Sequence, residues 1–509
     1  MRTMPDTEAV VAPLPANDVP RWARVCDGVT LGLGVVVLSM IAFGPLEVMA
    51  GGRQWVVSTL AWPGVLALAV AGLRHWRHPH PQLPARLWRG CCRVASDPAW
   101  RAAGWSFVGV RVPVLAVGLL AVALLGFPQP SPRIPITRGA DHDVLNLPVR
   151  WDAAWYLRVA LDGYRYDPDE RGQQNIAFFP GYPALLRVSG ALLGARAPGA
   201  GLDEAARVRA VADQQARVVL GGWLLALICG TWAMAKLYRL AVACGAQGWQ
   251  ATAVVMLASA YPFAYFQGAL YTESIFLLSA IAMSTAFVRR DYLTAAAWGV
   301  LVGLVRPNGC MISVPLAIVA TQHLVVPRTL GPADGLRRPM DRRGWLVAMA
   351  TAAVPGVAML AFTLWEYAYT GVGFAWLEAH KAWGRQPRGL GYLVDLHTYL
   401  LAKEGPLGYV LRYPIDFVNA SATAFAVAMA VPVARRLGLA WAVFVLINVL
   451  PPLGSGGFLS LGRVTSTLFP VFVALGLMLR PATLTWWLAA WGATQGLFAA
   501  LFFTWRPIY

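Results

Sequence analysis

Carboxylates that could move a proton are concentrated in one stretch of the sequence. Residues 127–176 hold seven of the 25 acidic residues of the 509-residue chain. Among them, Asp152 stands between Trp151 and Trp155. A carboxylate beside aromatic rings can lose part of its hydration, which raises its pKa towards that of a useful general base. Asp152 is therefore the predicted catalytic residue; the alternative is that it caps the helix that carries Trp155.

A second acid and three arginines could bind an anionic group. Glu273 lies near the end of an apolar segment, where an ionisable side chain is costly and therefore a functional candidate. The alternative is an ion pair with a neighbouring arginine. Arg306, Arg385 and Arg463 could each present a planar fork to phosphate oxygens. For Arg306 the alternative is a side chain that snorkels to a membrane interface.

The elements that must position these residues are membrane helices. The chain is 58% hydrophobic and only 13% charged, whereas soluble domains have about 25% charged residues. This composition excludes a soluble multidomain enzyme, a disordered protein and a coiled coil. The 22 tryptophans and 16 tyrosines suit the aromatic belts of membrane helices. The predicted fold class is an all-α polytopic membrane protein.

A membrane helix needs about 20 mostly apolar residues, and thirteen stretches of the sequence are apolar enough to be candidates. The polar residues 1–27 are predicted to be a cytoplasmic tail, and residues 28–509 the integral-membrane domain. The predicted spans are 28–49, 54–73, 106–127, 217–236, 250–266, 269–288, 291–305, 309–326, 345–369, 414–433, 437–452, 465–479 and 482–503.

The excess of basic residues predicts the orientation of these spans. The formal net charge is +17, and arginines cluster in loops 74–104 and 327–343. Because basic short loops stay in the cytoplasm, the N-terminus is predicted to be cytoplasmic. Residues 127–216 and 370–413 then form two long extracytoplasmic loops. The charge is thereby assigned to topology, and no nucleic-acid partner is predicted.

Two further features qualify this topology. Residues 177–194 are apolar but short and contain two prolines and Arg187. They are predicted to form an interfacial or re-entrant element, which is tolerated where protein or a cavity surrounds it. Only three of the 42 basic residues are lysines, a bias that favours a bacterial source and hence the plasma membrane.

Several local sequences, in order, resemble the PIG-V-like mannosyltransferases. The resemblance covers roughly residues 105–480 as an ordered set of short motifs. These are RWDAAWY at 150–156, AFFPGYP at 177–183, SAYPFAYFQGALYTES at 259–274, VRPNG at 305–309, HKAWGR at 380–385, and Arg463 before Phe469-Pro470. The sequence departs from the family at Gly181, where the family has Leu, at Thr272, where it has Ser, and at Gly371-Val372-Gly373, where it has Gly-Asp-Pro.

The resemblance implies a GT-C-like fold and a polyprenyl-phosphate-sugar-dependent glycosyltransferase. The donor would be a polyprenyl-phosphate sugar, with mannose as the expected sugar. The acceptor would be a lipid-linked or cell-envelope glycan on the extracytoplasmic face, and membrane lipids would surround the enzyme. The resemblance also implies a catalytic acid at Asp152 and inversion by direct displacement.

The predicted substrate-binding residues combine this resemblance with side-chain chemistry. Arg150 and Arg187 are further candidates for phosphate contacts, and the aromatic residues could stack on sugar faces or border the lipid chain. As single residues, these aromatics are alternatively membrane-interface anchors. The full set is Arg150, Trp155, Tyr156, Tyr182, Arg187, Tyr271, Glu273, Arg306, Asn308, Trp383, Arg385 and Arg463.

No cofactor is predicted. Asp141-His142-Asp143 could suggest a divalent metal, but a single such cluster without further ligands does not favour one. His380 and His397 have no spacing partner and are predicted to be solvated. The competing functions are a membrane transporter or lipid flippase, which would favour internal repeats, and a scaffold subunit of an envelope complex.

Overall fold

The computed structural model describes residues 20–50, 53–79, 83–129, 143–170, 172–325 and 340–508. The chain divides into two compact units, one of residues 1–46 and 56–93 and the other of 47–55 and 94–509. We call them the N-terminal unit and the main unit. Asp141 and His142, the core of the possible metal cluster, lie outside the described residues.

The N-terminal unit is built around a pair of packed helices, α1 (Arg21–Phe43) and α2 (Ala61–Arg77). The Arg74 guanidinium on α2 pairs with Asp27 on α1 at 3.3 Å. Two strands, β1 (Leu46–Ala50) and β2 (Arg53–Val57), form a two-stranded sheet, and most of their residues belong to the main unit. The predicted span 54–73 therefore begins as a strand, in keeping with the β-branched residues Val56 and Val57.

Helix α3 (Leu83–Ser96) lies mostly in the N-terminal unit and ends in the main unit. The first half of the main unit then contains, in chain order, α4 (Pro98–Ala103), α5 (Gly109–Leu125), α6 (Asp143–Asn146), α7 (Ala153–Asp162), α8 (Gly181–Leu192), α9 (Glu204–Ala243) and α10 (Gly248–Ala260). A π-helical segment, Gly104–Val108, joins α4 to α5, and 3₁₀ segments cover Asn175–Ala177 and Ala264–Gly268.

The second half contains α11 (Glu273–Val288), α12 (Tyr292–Val305), α13 (Ser313–Val325), α14 (Arg342–Thr370), α15 (Ala375–Ala379), α16 (Gly389–Arg412), α17 (Pro414–Leu437), α18 (Leu439–Gly456), α19 (Leu461–Thr465), α20 (Phe469–Met478) and α21 (Pro481–Phe503). Two more 3₁₀ segments, Pro307–Ile312 and His380–Trp383, precede α13 and α16.

Several helices are long and apolar enough to cross a membrane. Six meet this criterion in the described part of the chain: Arg21–Phe43, Pro98–Leu125, Glu204–Ala243, Arg342–Thr370, Pro414–Leu437 and Leu439–Gly456. Three shorter apolar helices, α11, α12 and α20, accompany them. The predicted all-α membrane class is confirmed, and the protein is an integral membrane protein. The count of thirteen spans stays a prediction.

Helices form most of the predicted re-entrant element 177–194 and of the predicted outer loop 370–413. Helix α8 covers most of 177–194, and its 12 residues extend about 18 Å, less than the apolar thickness of about 30 Å. Within 370–413, α16 occupies 24 residues and bends at Gly405, which has a φ of 69° and is followed by Pro406. A proline and a glycine with positive φ interrupt the helical pattern there, which makes the helix hard to recognise from the sequence.

The core of the main unit centres on α11, which is buried along its whole length apart from Thr285. A helix that is apolar all round belongs in the interior, where every face has a protein neighbour. It packs on α9 and α12. The burial of α11 carries its first residue, Glu273, into the interior, where the side chain is fully buried.

Close helix approach surrounds this core at glycine positions. A Cβ added to Gly303 on α12 would lie 2.2 Å from the carbonyl oxygen of Pro355 on α14. A Cβ at Gly181, where the related family has Leu, would lie 2.7 Å from the carbonyl oxygen of Leu304. Both contacts involve backbone atoms, so the helices would have to separate to accept a side chain. Gly181 thus lets α8 approach the C-terminal end of α12.

The first prediction concerns Gly303. Gly303→Ala should lower the free energy of unfolding in detergent by about 1–3 kcal/mol, because α12 and α14 must move apart. Gly496→Ala is the matched control on α21, where an added Cβ meets nothing within 4 Å and alanine is the better helix former. Thermal unfolding of the two variants measures the difference, and equal midpoints would contradict the packing argument.

Candidate active site

Four charged side chains from separate parts of the main unit form an alternating chain. Arg463 Nη1 donates to Asp152 Oδ2 at 2.9 Å, and its Nε lies 3.4 Å from Glu273 Oε1. Arg306 Nη1 lies 3.3 Å from the same glutamate oxygen. We call these four residues the ionic cluster. Its two positive and two negative charges balance, which is how charges are retained away from water.

Asp152 is held by its backbone. The preceding residue, Trp151, has a φ of 53°, a conformation that is rare for a bulky side chain and common at functional sites. The Tyr271 hydroxyl accepts from the Asp152 amide at 3.1 Å and donates to the Arg150 carbonyl at 3.0 Å.

The capping alternative for Asp152 is not supported. Asp152 does occupy the position before the first residue of α7, but its side chain makes no capping hydrogen bond. Its carboxylate instead points to Arg463 on α19, 311 positions away in the sequence. The residue therefore ties the start of α7 to a distant segment rather than only to its own helix.

Glu273 occupies the first position of α11, where a carboxylate also meets the positive end of the helix dipole. The ion pair that sequence reasoning left as an alternative is present, with Arg306 and Arg463 as partners. The snorkelling alternative for Arg306 is wrong, because this side chain is buried and its guanidinium lies 5.0 Å from the Phe276 ring centre.

Arg463 connects the two carboxylates. It belongs to the short helix α19, and its guanidinium lies 5.3 Å from the ring centre of Tyr271 and 5.7 Å from that of Phe266. Burial disfavours its charge, but Glu273 and Asp152 outweigh this effect and raise the pKa of Arg463 above its ordinary value. Arg463 therefore remains a cation that holds both acids in place.

The ionic cluster has unused hydrogen-bonding capacity. Oε1 of Glu273 meets Nη1 of Arg306 and Nε of Arg463 as ion pairs without a hydrogen bond, and within the described residues Oε2 of Glu273 is buried with neither kind of partner. The Tyr182 hydroxyl is in the same condition. Buried polar atoms are nearly always satisfied, by protein, water or ligand. The convergence of several such atoms at one place is the property expected of a site that binds a polar molecule.

The segment between α15 and α16 adds a third guanidinium. Arg385 donates from Nη2 to the Leu459 carbonyl at 3.1 Å, and it makes no ion pair with any carboxylate that the structure describes. Burial, with the nearby Arg463, lowers the pKa of Arg385 to about 10, so it is still protonated near neutral pH. Asp152 and Arg306 also act electrostatically on it. Arg385 thus makes the site net positive.

Aromatic side chains form one wall beside these charges. Trp155 stacks on Phe178 with ring centres 5.8 Å apart, and Trp383 meets both rings edge-on, also at 5.8 Å. Tyr156 contacts Tyr182 at 5.1 Å and Tyr271 at 6.3 Å. Tyr182 and Tyr271 are buried, so the alternative interpretation as membrane-interface anchors is wrong for these two.

Three predicted binding residues are used elsewhere. Arg150 donates to the backbone carbonyls of Phe503, Val149 and Asn146. Arg187 donates to the carbonyls of Ala160 and Val159 at the C-terminal end of α7. The side-chain amide of Asn308 donates to Asn448 at 2.8 Å. These contacts support structural roles, because the donor groups of the three side chains are already used by oxygen atoms of the protein.

Two residues near the site were not among the predicted site residues. His380, predicted to be solvated, lies instead between Trp376 and Trp383, with ring centres 6.2 and 6.0 Å away. Glu366 is fully buried on α14 and accepts from the Trp376 amide at 3.3 Å. A buried acid within an apolar helix is a signal that the sequence offers, and Glu366 could have been found by it.

No metal centre emerges from the described ranges. Within them, no group of three or more His, Cys, Asp or Glu side chains could hold a metal ion. Of the predicted cluster, only Asp143 lies within these ranges, at the start of α6.

The comparisons with known proteins agree with this site. Residues 122–330 match the family described as Mannosyltransferase (PIG-V). Over these residues the chain is similar to the PIG-V mannosyltransferases. The resemblance inferred from the short motifs is confirmed, and the chain is a glycosyltransferase of the membrane. No curated protein and no solved structure matches it.

The matched region contains only part of the site. Asp152, Glu273 and Arg306 lie inside residues 122–330, whereas Arg385 and Arg463 lie beyond them. The PIG-V-like region therefore supplies both carboxylates, and the later helices supply the cation that joins them. The matched region thus includes three of the four members of the ionic cluster.

The second prediction tests the ionic cluster by a double-mutant cycle. Glu273→Gln and Arg306→Gln should each lower the free energy of unfolding by about 3–5 kcal/mol, because each leaves a buried charge without its partner. The double variant should lose clearly less than the sum, since the two residues interact. Unfolding in detergent provides the measurement.

The control cycle uses the exposed pair Asp213 and Arg217, which lie 2.7 Å apart on α9. Exposed pairs of this spacing contribute about 0.3–0.5 kcal/mol, so its coupling should be near the detection limit. Additive losses for Glu273 and Arg306 would show that the contact between them has no energetic weight.

Proposed function

We propose that the enzyme transfers mannose from a polyprenyl-phosphate carrier to a lipid-linked or cell-envelope acceptor at the extracytoplasmic face of a bacterial plasma membrane. The observation that carries the proposal is the contact of Asp152 with Arg463 beside the buried Glu273. It brings a possible base, cations and an aromatic wall together in a chain that resembles mannosyltransferases.

The proposed reaction is a single displacement at the anomeric carbon. An acceptor hydroxyl oxygen forms a bond to C1 of the mannose, and the bond between C1 and the phosphate oxygen breaks. The polyprenyl phosphate leaves with that electron pair, and Asp152 takes the hydroxyl proton. Attack from the side opposite the leaving group inverts the configuration at C1.

The arrangement of Asp152 suits a base that must also be held still. Oδ2 accepts from Arg463, whereas Oδ1 has no hydrogen bond among the residues that the structure describes. One oxygen thus fixes the carboxylate and the other can receive a proton from a hydroxyl. Geometry of this kind supports general-base catalysis, in which the base must reach the proton within hydrogen-bonding distance.

The leaving phosphate needs positive partners, and Arg385 is the best candidate. The charges of Arg306 and Arg463 are already matched by Glu273 and Asp152, whereas Arg385 has no described carboxylate partner. Its guanidinium can present two parallel N–H groups to phosphate oxygens. Cations at the position where negative charge develops stabilise the transition state.

A glycosyltransferase also explains the polar chemistry better than a transporter or flippase. Group transfer requires both a base with a free oxygen and a cation for the leaving group, and Asp152 and Arg385 supply this pair. Substrate flux through proteoliposomes that is unaffected by substitution of Asp152 would favour the carrier.

The third prediction concerns Asp152. Asp152→Asn should reduce the release of polyprenyl phosphate from polyprenyl-phospho-mannose by about 10²–10⁴-fold in the presence of a membrane lipid extract as acceptor. The amide keeps the size of the side chain but takes up no proton. Asp167→Asn, in the exposed part of the first outer segment, is the control and should retain full turnover.

Both Asp variants should elute as folded protein in size-exclusion chromatography. Full turnover by Asp152→Asn would remove this residue as the base. A panel of carrier-linked sugars in the same assay identifies the donor. A higher turnover with a sugar other than mannose, measured below saturation, would correct the assignment of the sugar.

The fourth prediction concerns the face of the membrane. In intact cells, an impermeant thiol reagent should label Asp169→Cys from outside but not Arg436→Cys, and should label both after permeabilisation. Both positions are exposed, so access rather than burial decides the result. The parent chain provides the background from its natural cysteines. The reverse pattern would put Asp152 and its neighbours on the cytoplasmic side.

A further inference from the structure

The orientation of the His380 ring is fixed by a backbone contact. Its Nδ1 lies 2.6 Å from the carbonyl oxygen of Trp376, one helical turn earlier. A carbonyl oxygen can only accept, so Nδ1 must carry the hydrogen. In a neutral imidazole the other nitrogen, Nε2, then has a lone pair and can only accept. The contact thus determines the chemistry of the opposite edge of the ring.

The surroundings keep this ring neutral. Burial lowers the pKa of His380 to about 4; the cations Arg385 and Arg463 add to this effect, whereas the hydrogen bond to the Trp376 carbonyl and the charge of Asp152 oppose it. The ring therefore stays uncharged near neutral pH. The charged groups that act on it are the same ones that form the candidate active site, so the ring lies close to the reacting region.

Nε2 makes no hydrogen bond with any described residue, and the ring is packed between Trp376 and Trp383. Neither the Arg385 nor the Arg463 guanidinium donates to Nε2, and the ionised carboxylate of Asp152 has no hydrogen to donate. The groups that suit a neutral acceptor beside aromatic rings are hydroxyls, which sugars supply in number.

We propose that Nε2 of His380 accepts a hydrogen bond from a substrate hydroxyl, either of the transferred sugar or of the acceptor glycan. The inference rests on the proposed transferase function and adds a binding residue to it. His380 takes up no proton in this role. It positions a hydroxyl next to Asp152, while the Trp376 carbonyl holds the ring in register.

Two substitutions separate the two edges of the ring. The amide nitrogen of His380→Asn can occupy the position of Nδ1 and keep the bond to Trp376, but this variant has no group at the position of Nε2. His380→Gln places its terminal amide near Nε2 and can restore an acceptor there. A purely structural role would therefore be preserved by Asn, and a binding role by Gln.

The expected result is a loss of about tenfold in kcat/KM for His380→Asn and substantial retention for His380→Gln, measured with polyprenyl-phospho-mannose and a membrane lipid extract. A rise in the KM for the donor would assign the hydroxyl to the sugar, and a rise for the extract would assign it to the acceptor. His397→Asn is the control, since that ring bonds to Tyr409 instead.

A second measurement does not depend on turnover. In the full-length protein with ¹⁵N-labelled histidine, the signal that disappears in His380→Gln should report a neutral ring with hydrogen on Nδ1 from pH 5.5 to 8. A charged ring, or hydrogen on Nε2, would overturn the inference.

The failures are distinguishable. If the wild-type enzyme releases polyprenyl phosphate and His380→Asn is equally active, the role of His380 is wrong and the transferase function stands. If Asn and Gln lose activity equally and both unfold at lower temperature, the role is structural. If the wild-type enzyme transfers no sugar from any carrier, the proposed function and the inference that rests on it both fail.

Discussion

The site depends on one buried guanidinium. Arg463 reaches Asp152 with Nη1 and Glu273 with Nε, and so joins α19 to the beginnings of α7 and α11. Removing charges from water is costly, and the cost is offset only when each charge keeps its partner. The positions of three distant segments are therefore linked by a single requirement, and the acids can be neither displaced nor left unpaired without loss.

Small residues let the helices come close enough to meet this requirement. Gly181 faces the carbonyl of Leu304, two residues before Arg306, and Gly462 beside Arg463 accommodates the ring of Phe263. Contacts with backbone or with a fixed aromatic ring leave no room for a side chain. The departure from the family at Gly181 therefore has a physical reason in this chain, which is the close approach of α8 to the segment that presents Arg306.

The sequence indicated the membrane class and the members of the ionic cluster, but not the cluster itself. In a chain with few charges, an acid or arginine inside an apolar segment must face an opposite charge or a ligand, as Glu273 and Arg306 do. Asp152 is indicated by its neighbouring tryptophans and by the resemblance, and Arg463 by the resemblance alone. Arg150 and Arg187 show the limit of this reasoning, because residue type does not tell whether a guanidinium meets backbone carbonyls or a substrate. His380 shows a second limit. The rings of Trp376 and Trp383 come within about 6 Å of its ring only in the folded chain, so the sequence does not reveal that it is enclosed.

The balance of charges suggests how two substrates could share one site. Asp152 and Glu273 neutralise two of the guanidiniums, and the remaining cation, Arg385, lies on the segment that also carries Trp383 and His380. An anionic carrier would be attracted to Arg385, whereas a neutral acceptor would find its hydrogen-bond acceptors at Asp152 Oδ1 and His380 Nε2. Because Arg385 also donates to the Leu459 carbonyl, just before α19, a phosphate that draws on this guanidinium would act on the same segment that presents Arg463. In the proposed reaction, binding of the carrier and orientation of the base would then be coupled through a few residues of backbone.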